Sequence, residues 1–195
     1  VTIKLNESIG ESILSETPIF KRKSSVNFSP KEISNEDIEL IIKASVWAPS
    51  SRNRQPWRII AIKKDSKKFN ALIECMSSGN QSMAKSSGLI LIFSTNNEKE
   101  FSPKTFLDIG FSGQNAMIQA TELGLETHPI GGWDEESVKK VTDIPEYSKV
   151  AFLLIIGNPG DLSDLSDELL EKHNKVRERN PLEQNFNYDE WGKNF

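Results

Sequence analysis

Trp47–Arg58 reads W-A-P-S-S-R-N-R-Q-P-W-R. The stretch joins an amphipathic helical pattern to an apolar strand pattern, and its own composition suits neither. Pro49 and Pro56 break both periodicities; between them lie two hydroxyls (Ser50, Ser51), two amides (Asn53, Gln55) and two guanidiniums (Arg52, Arg54). A segment so rich in donors between two core elements is either an ordered turn that satisfies its own backbone or a loop that binds a ligand. The tryptophans at its ends, Trp47 and Trp57, favour an anchored loop, because each large ring buries surface and pins an edge.

Upstream, Ser34 to Trp47 reads as a helix. Ser34 is the cap, Asp37 stands in the capping-box position, and Ile38, Ile41, Ile42, Ser45 and Val46 supply the core-facing stripe. Residues 1–20 form a polar lead-in, with a short helix around Ser8–Ser15 ended by Pro18. Downstream, Arg58–Lys63 is apolar on both faces and reads as a central strand. Lys67–Met76 is an amphipathic surface helix. S-G-N-Q (Ser78–Gln81) is open between a helix cap and a ligand-binding amide. Gly88–Ser94 is a buried strand, and Asn96–Ser102 is the best candidate for a mobile loop.

Thr105–Leu123 is the longest helical pattern. Phe106, Ile109, Gly110, Gly113, Ala116, Met117 and Ala120 share a face, and Gly124 stops it. The small residues permit close helix approach. P-I-G-G-W (Pro129–Trp133), followed by Asp134 as a cap, makes a strand–turn–helix whose paired glycines let a backbone approach something flat. Val150–Gly157 is another buried strand and Ser163–His173 a polar amphipathic helix. From Asn180 the chain carries Phe186, Tyr188, Trp191 and Phe195 without room for a core of its own, so this tail should lie on another surface.

At 195 residues the chain fits one domain, able to bury roughly 70% of its unfolded surface. The single Cys75 excludes an intrachain disulfide, and His128 and His173 make no zinc pattern. A net charge of −4 disfavours a general nucleic-acid or anionic-membrane role. The longest apolar runs, Leu89–Phe93 and Val150–Ile156, are too short to cross a bilayer. No basic region followed by a long apolar core marks the N-terminus, so a cytoplasmic setting is expected. There is no G-x-G-x-x-G and no phosphate-binding P-loop motif.

P-S-S-x-N-x-Q-P-W, Pro49–Trp57, resembles the signature loop of the FMN-dependent nitroreductase family. Four further segments match in the same order, from Arg22 to about Trp191. The resemblance implies an α+β fold, a mostly antiparallel central sheet flanked by helices, in an intertwined homodimer with FMN at each interface. K-R-K-S-S-V-N-F (Lys21–Phe28) is similar to the element that grips the phosphate and ribityl chain, which implicates Arg22, Lys23 and Ser24. Arg177 and Arg179 match late phosphate-binding cations, although V-R-E-R also suits a solvated helix end. Asn80 matches an amide at the ribityl chain or ring edge. Pro129, Ile130, Gly131 and Gly132 would lie beside the ring, the main-chain N–H at Gly131 donating to N5. Pro49, Ser50, Ser51 and Asn53 would reach it from the other subunit, and the tail would wrap the partner.

The chain departs from the family at two positions. Many relatives carry a cation where Val26 stands and another where Met83 stands, both near the N1–O2 edge of the flavin, where negative charge collects on reduction. Two apolar side chains there imply a lower reduction potential, unless Arg52 or Arg54 substitutes. The implied activity is reduction of a small organic acceptor (a nitroaromatic, quinone or flavin-like molecule) with hydride from NAD(P)H, in a ping-pong cycle; no side chain is assigned as catalytic acid or base. A flavin storage or sensor protein, or deiodinase-like chemistry on the same fold, is the alternative.

Overall fold

The computed structural model describes residues 15–95, 102–175 and 177–193. The elements follow in the order α1 (Pro18–Lys21), β1 (Phe28–Ser29), α2 (Asn35–Val46), a 3-10 turn (Ser51–Asn53), β2 (Trp57–Lys63), α3 (Phe69–Glu74), α4 (Ser78–Ser86) and β3 (Leu89–Thr95). Then come α5 (Pro103–Glu122), β4 (Glu126–Ile130), α6 (Glu135–Thr142), β5 (Val150–Pro159), a second 3-10 turn (Leu162–Asp164), α7 (Asp167–Asn174) and α8 (Leu182–Asn185).

The five strands form one antiparallel sheet. β2 pairs with β3 and β3 with β5; the far edge of β5 is shared between β4 and, at its end, β1. β3 is buried on both faces, as an unbroken apolar run requires. Ile90 and Ile92 face one layer with Ile62, Leu153 and Ile155, covered by Phe69, Leu72 and Ile73 of α3, Ala84 of α4 and Val138 of α6. Leu89, Leu91 and Phe93 face the other with Leu154 and Ile156, covered by Ile41 of α2 and Ile109, Ala116 and Ala120 of α5. The α+β architecture expected from the resemblance is the one observed.

Several local expectations need correction. β2, expected to be a central strand, is an edge strand that pairs with β3 alone among the described strands and leaves Arg58 and Ala61 exposed. Pro18 opens a further helix, α1, because its missing N–H and fixed φ suit the first helical position. In α2, Ser34 caps as expected, accepting from the Asp37 N–H at 3.0 Å. Ile41 and Ser45 are buried, but Val46 is exposed. It lies about 100° round the helix from Ser45 and falls off the edge of the stripe. Trp57 is buried, whereas Trp47 is 88% exposed and so does not pin the loop against the described residues. The helix expected over Lys67–Met76 is shorter, confined to α3; it is amphipathic as expected, with Phe69, Leu72 and Ile73 in the core and Asn70 and Glu74 exposed. Ser163–His173 is broken in two. The Asp161 carboxylate takes the Ser163 N–H and the Ser166 hydroxyl takes that of Leu169, local bonds that compete with a continuous helix. Residues 8–14 of the expected first helix, 96–101 of the expected mobile loop, and Phe195 lie outside the described residues.

α5 ends as its sequence predicts. Gly124 adopts φ 74°, its N–H bonds the Thr121 carbonyl, and the Leu125 N–H bonds that of Ala120. Earlier in the helix, Gly113 permits close approach to the sheet: a Cβ there would collide with Cζ at the tip of the Phe152 ring, which is itself stacked on Phe93 with centroids 4.5 Å apart. No helix among the described residues is long and apolar enough to cross a membrane.

Gly113→Ala sets a helix-propensity gain of up to about 1 kcal/mol against an overpacking cost of about 1–3 kcal/mol. Because the obstructing atoms belong to a stacked ring and not a flexible chain end, overpacking wins. The variant should unfold at lower urea concentration than the parent; an unchanged or higher midpoint would show that Phe152 moves aside freely.

Candidate functional site

The N-terminal segment and the C-terminal segment meet over β4. Ser24 bridges to Thr127 in parallel sense, the Ser25 N–H donates to the Thr127 carbonyl at 2.9 Å, and His128 Nδ1 donates to the Ser25 carbonyl at 2.7 Å. That bond requires the proton on Nδ1, since a carbonyl only accepts. From the other end of the chain, the Arg177 guanidinium donates to the carbonyls of Arg22 and Phe20, both at 2.6 Å.

Between the two segments lies a cavity of about 440 Å³, whose walls include Arg22, Lys23, Ser24, Val26, Arg177 and Arg179. Six residues singled out from the sequence therefore converge. Lys172, His173 and Lys175 join them from α7 and the residue after it. Their signal was present in the sequence as K-H-N-K just ahead of V-R-E-R, but it reads there as a helix end.

The electrostatics of this cavity are unbalanced. Among the described residues, none of Arg22, Arg177 and Arg179 is ion-paired to a carboxylate. Burial, and then the neighbouring charges of Arg177 and Arg179, lower the pKa of Arg22. Like charges crowded into a half-buried site favour a bound anion, which relieves their repulsion and accepts charge-assisted hydrogen bonds. Lys23 differs. Its Nζ lies 2.9 Å from Oε1 of Glu126, whose Oε2 accepts from the buried Ser25 hydroxyl. Glu126 thus ties two residues of the cavity wall to β4, across about a hundred residues of sequence.

A second group sits at the end of β4. The Gly132 carbonyl accepts from the Ser77 N–H at 3.0 Å and lies 3.5 Å from Asn80 Nδ2, which also donates to the Ser77 hydroxyl at 2.8 Å. A Cβ on Gly132 would collide with Ser77, whereas one on Gly131 would meet open space. Asn80 lies inside α4 and is brought to the Pro129–Gly132 backbone. Met83, on the same helix, packs against the core layer of α3 and α6. Nearby Cys75 donates its thiol to the Ala71 carbonyl at 3.2 Å, and burial, then Asp134 and Glu74, push its pKa up. It is held as a neutral thiol and not as a nucleophile.

Pro49, Ser50, Ser51 and Asn53 stand apart from both groups. β2 begins at the same end of the sheet where β4 finishes, but β3 and β5 lie between them, about 14 Å of strand spacing. The loop is built on left-handed backbone at Arg52, Asn53 and Gln55, with φ of 56°, 54° and 48°. Ser50 Oγ accepts from the Gln55 N–H at 2.9 Å, and Arg54 folds back, its Nε donating to the Ser51 carbonyl at 3.2 Å. Arg52 is exposed.

The loop is moored to α5 by a stripe absent from the sequence reading. Asp108 Oδ2 accepts from the Ser51 N–H at 3.1 Å, the Ser112 hydroxyl meets that of Ser45 at 2.8 Å, and Asn115 Nδ2 donates to the Ala44 carbonyl at 3.1 Å. Spaced i, i+4 and i+7, the three lie on one flank of the helix, beside its apolar stripe. The signal was a lone acid in F-L-D-I-G-F. Among the described residues, no group of three or more His, Cys, Asp or Glu could hold a metal ion.

Comparison with known proteins follows this geometry. A protein of Archaeoglobus fulgidus named for NADH dehydrogenase/NAD(P)H nitroreductase activity is 27% identical over 150 residues, covering 75% of this chain and 86% of that protein. A crystal structure described as an oxidoreductase containing FMN superposes with a TM-score of 0.84 at 28% identity, covering 90% of this chain and 92% of the other. NfrA2 of B. megaterium superposes at 0.73 with 26% identity, covering 89% and 73%. The family model described as Nitroreductase family matches residues 19–158, a stretch that spans the cationic N-terminal segment, the moored loop and the whole sheet. The chain belongs to the Nitroreductase family.

Proposed function

We propose that this protein is an FMN-dependent oxidoreductase that passes hydride from NAD(P)H to small organic acceptors, nitroaromatics, quinones or flavin-like molecules, in a ping-pong cycle. The observation that carries this reading is the cavity in which Arg22, Arg177 and Arg179 converge without a carboxylate partner among the described residues. That donor set fits a phosphate dianion, and guanidiniums suit it better than ammoniums because each offers a fork of donors. Ser24 adds a hydroxyl, and Lys23 contributes from its position against Glu126. Asn80 and the Pro129–Gly132 backbone serve the ribityl chain and one side of the ring, with the open face of Gly131 toward it. When bound, FMN supplies the hydride chemistry, so no acid or base is required of the side chains.

Ser50, Ser51 and Asn53 complete the site from a second subunit. The spacing between their loop and the end of β4 supports this, since one ring cannot touch both within one chain. Supporting it further, α5 exposes Phe106, Leu107 and Phe111, α2 exposes Leu40 and Val46, and Trp47 follows at its end. Phe186 and Tyr188 pack edge to face on the surface, and Trp191 is fully exposed, an arrangement suited to covering a partner.

Arg22→Ala and Arg179→Ala should each weaken FMN binding by about 2–4 kcal/mol, because a phosphate oxygen is left without its charged donor. Titration of the flavin-free protein measures this; losses within about 0.5 kcal/mol in both variants would mean that these are solvated charges. Removing the residues after Asn180 should give an unstable or flavin-free protein, and a yellow, monodisperse monomer would defeat the two-subunit site. Val26→Lys should raise the midpoint potential of bound FMN, read by redox titration. A midpoint that stays where it was would mean that Val26 does not face the N1–O2 edge.

A further inference from the structure

We propose that Asp108 is a positioning residue, which holds the loop Ser50–Gln55 in its left-handed turn and so sets how that loop meets the flavin of the second subunit; the second half of this statement rests on the functional reading above. Asp108 is 5% exposed, on the flank of α5 that faces α2. Burying a carboxyl group is costly unless it is paired or hydrogen-bonded. Among the described residues Asp108 has no ion-pair partner, and the hydrogen bond that engages it comes from the Ser51 N–H. Position does not excuse the residue either. α5 begins at Pro103, so Asp108 lies beyond the first turn, where an acid would be favoured by the helix dipole.

The loop explains the arrangement. Arg52, Asn53 and Gln55 are non-glycine residues in the left-handed region, which a side chain's Cβ disfavours. Such a conformation persists only when its surroundings over-determine it. Within the loop, Ser50 Oγ and the Ser51 carbonyl supply bonds that would move with the loop as a unit. The Asp108 bond is different, because it fixes the loop to a helix that is itself locked to α2 through Ser112–Ser45 and Asn115–Ala44. Removing it leaves the turn intact but unregistered.

The test compares Asp108→Ala with Asp108→Asn, which keeps an acceptor oxygen in place and removes the charge. Amide hydrogen exchange across residues 51–55 and the Kd for FMN are measured on both. In Asp108→Ala the loop amides should exchange at least tenfold faster, with α2 and β2 unchanged, and FMN should bind at least tenfold more weakly. Asp108→Asn should restore both to within about threefold. Ser51→Pro removes the donor from the other side, at a position where Ser50 already has the extended backbone (ψ 152°) that precedes proline, and should match the alanine variant in exchange.

Exchange and affinity within threefold of the parent in Asp108→Ala would overturn the proposal. Equal loss, or unfolding, in both Asp108 variants would also overturn it, since the charge would then serve the fold and not the loop. Faster exchange with unchanged FMN affinity would make Asp108 structural only. A parent protein that takes up no FMN defeats the functional reading and the flavin half of this proposal, while the exchange rates still decide the loop half.

Discussion

Everything in this protein is referred to one strand. β5 is ten residues long and is hydrogen-bonded along both edges, to β3 on one side and to β4 and β1 on the other. Its registers place Leu153 opposite Ile130 and Val150 opposite Ser94. That fixes the end of β4, and hence Pro129–Gly132, at the same end of the sheet as the loop that enters β2. Because side chains alternate along it, β5 also feeds both core layers, Leu153 and Ile155 to one and Leu154 and Ile156 to the other. A slip of one residue would exchange the layers and move the site's backbone together.

Around that frame the polar chemistry is divided by a simple rule. Where the protein positions itself, charge is satisfied internally: Glu126 holds Lys23 and Ser25, Asp108 holds Ser51, and the side chains along α5 hold α2. In the cavity charge is left over: Glu178 also lines the wall, yet among the described residues none of Arg22, Arg177 and Arg179 is ion-paired to a carboxylate. The two kinds of group adjoin, since Lys23 and Arg22 are neighbours in sequence and line the same wall. Satisfied groups give that wall its shape and unsatisfied ones give it its positive charge.

The fold was legible wherever a single physical period dominated. Leu89–Phe93 and Val150–Ile156 could only be buried strands, Ser34 and Asp134 capped the starts of their helices, and Gly124 stopped α5, as local chemistry requires. Sequence reasoning failed where two local preferences competed, as in the hydroxyl- and acid-rich 161–166, or where a residue lay at the margin of a stripe, as Val46 does. The cationic cavity was legible only through resemblance, because no periodicity relates Arg22 to Arg177. Glu126 and Asp108 were invisible for the same reason: each acts across 57 residues or more, and an isolated acid in a strand or helix carries no mark of the partner it will meet.

The bonds from Arg177 to the carbonyls of Phe20 and Arg22 span more than 150 residues of chain. During synthesis the sheet, the helices as far as α7 and the moored loop are all made before residue 177. The cavity cannot be complete by then, because Arg177 and Arg179 follow all five described strands in the chain. The order of translation therefore separates the folding of the sheet from the closing of this cationic cavity.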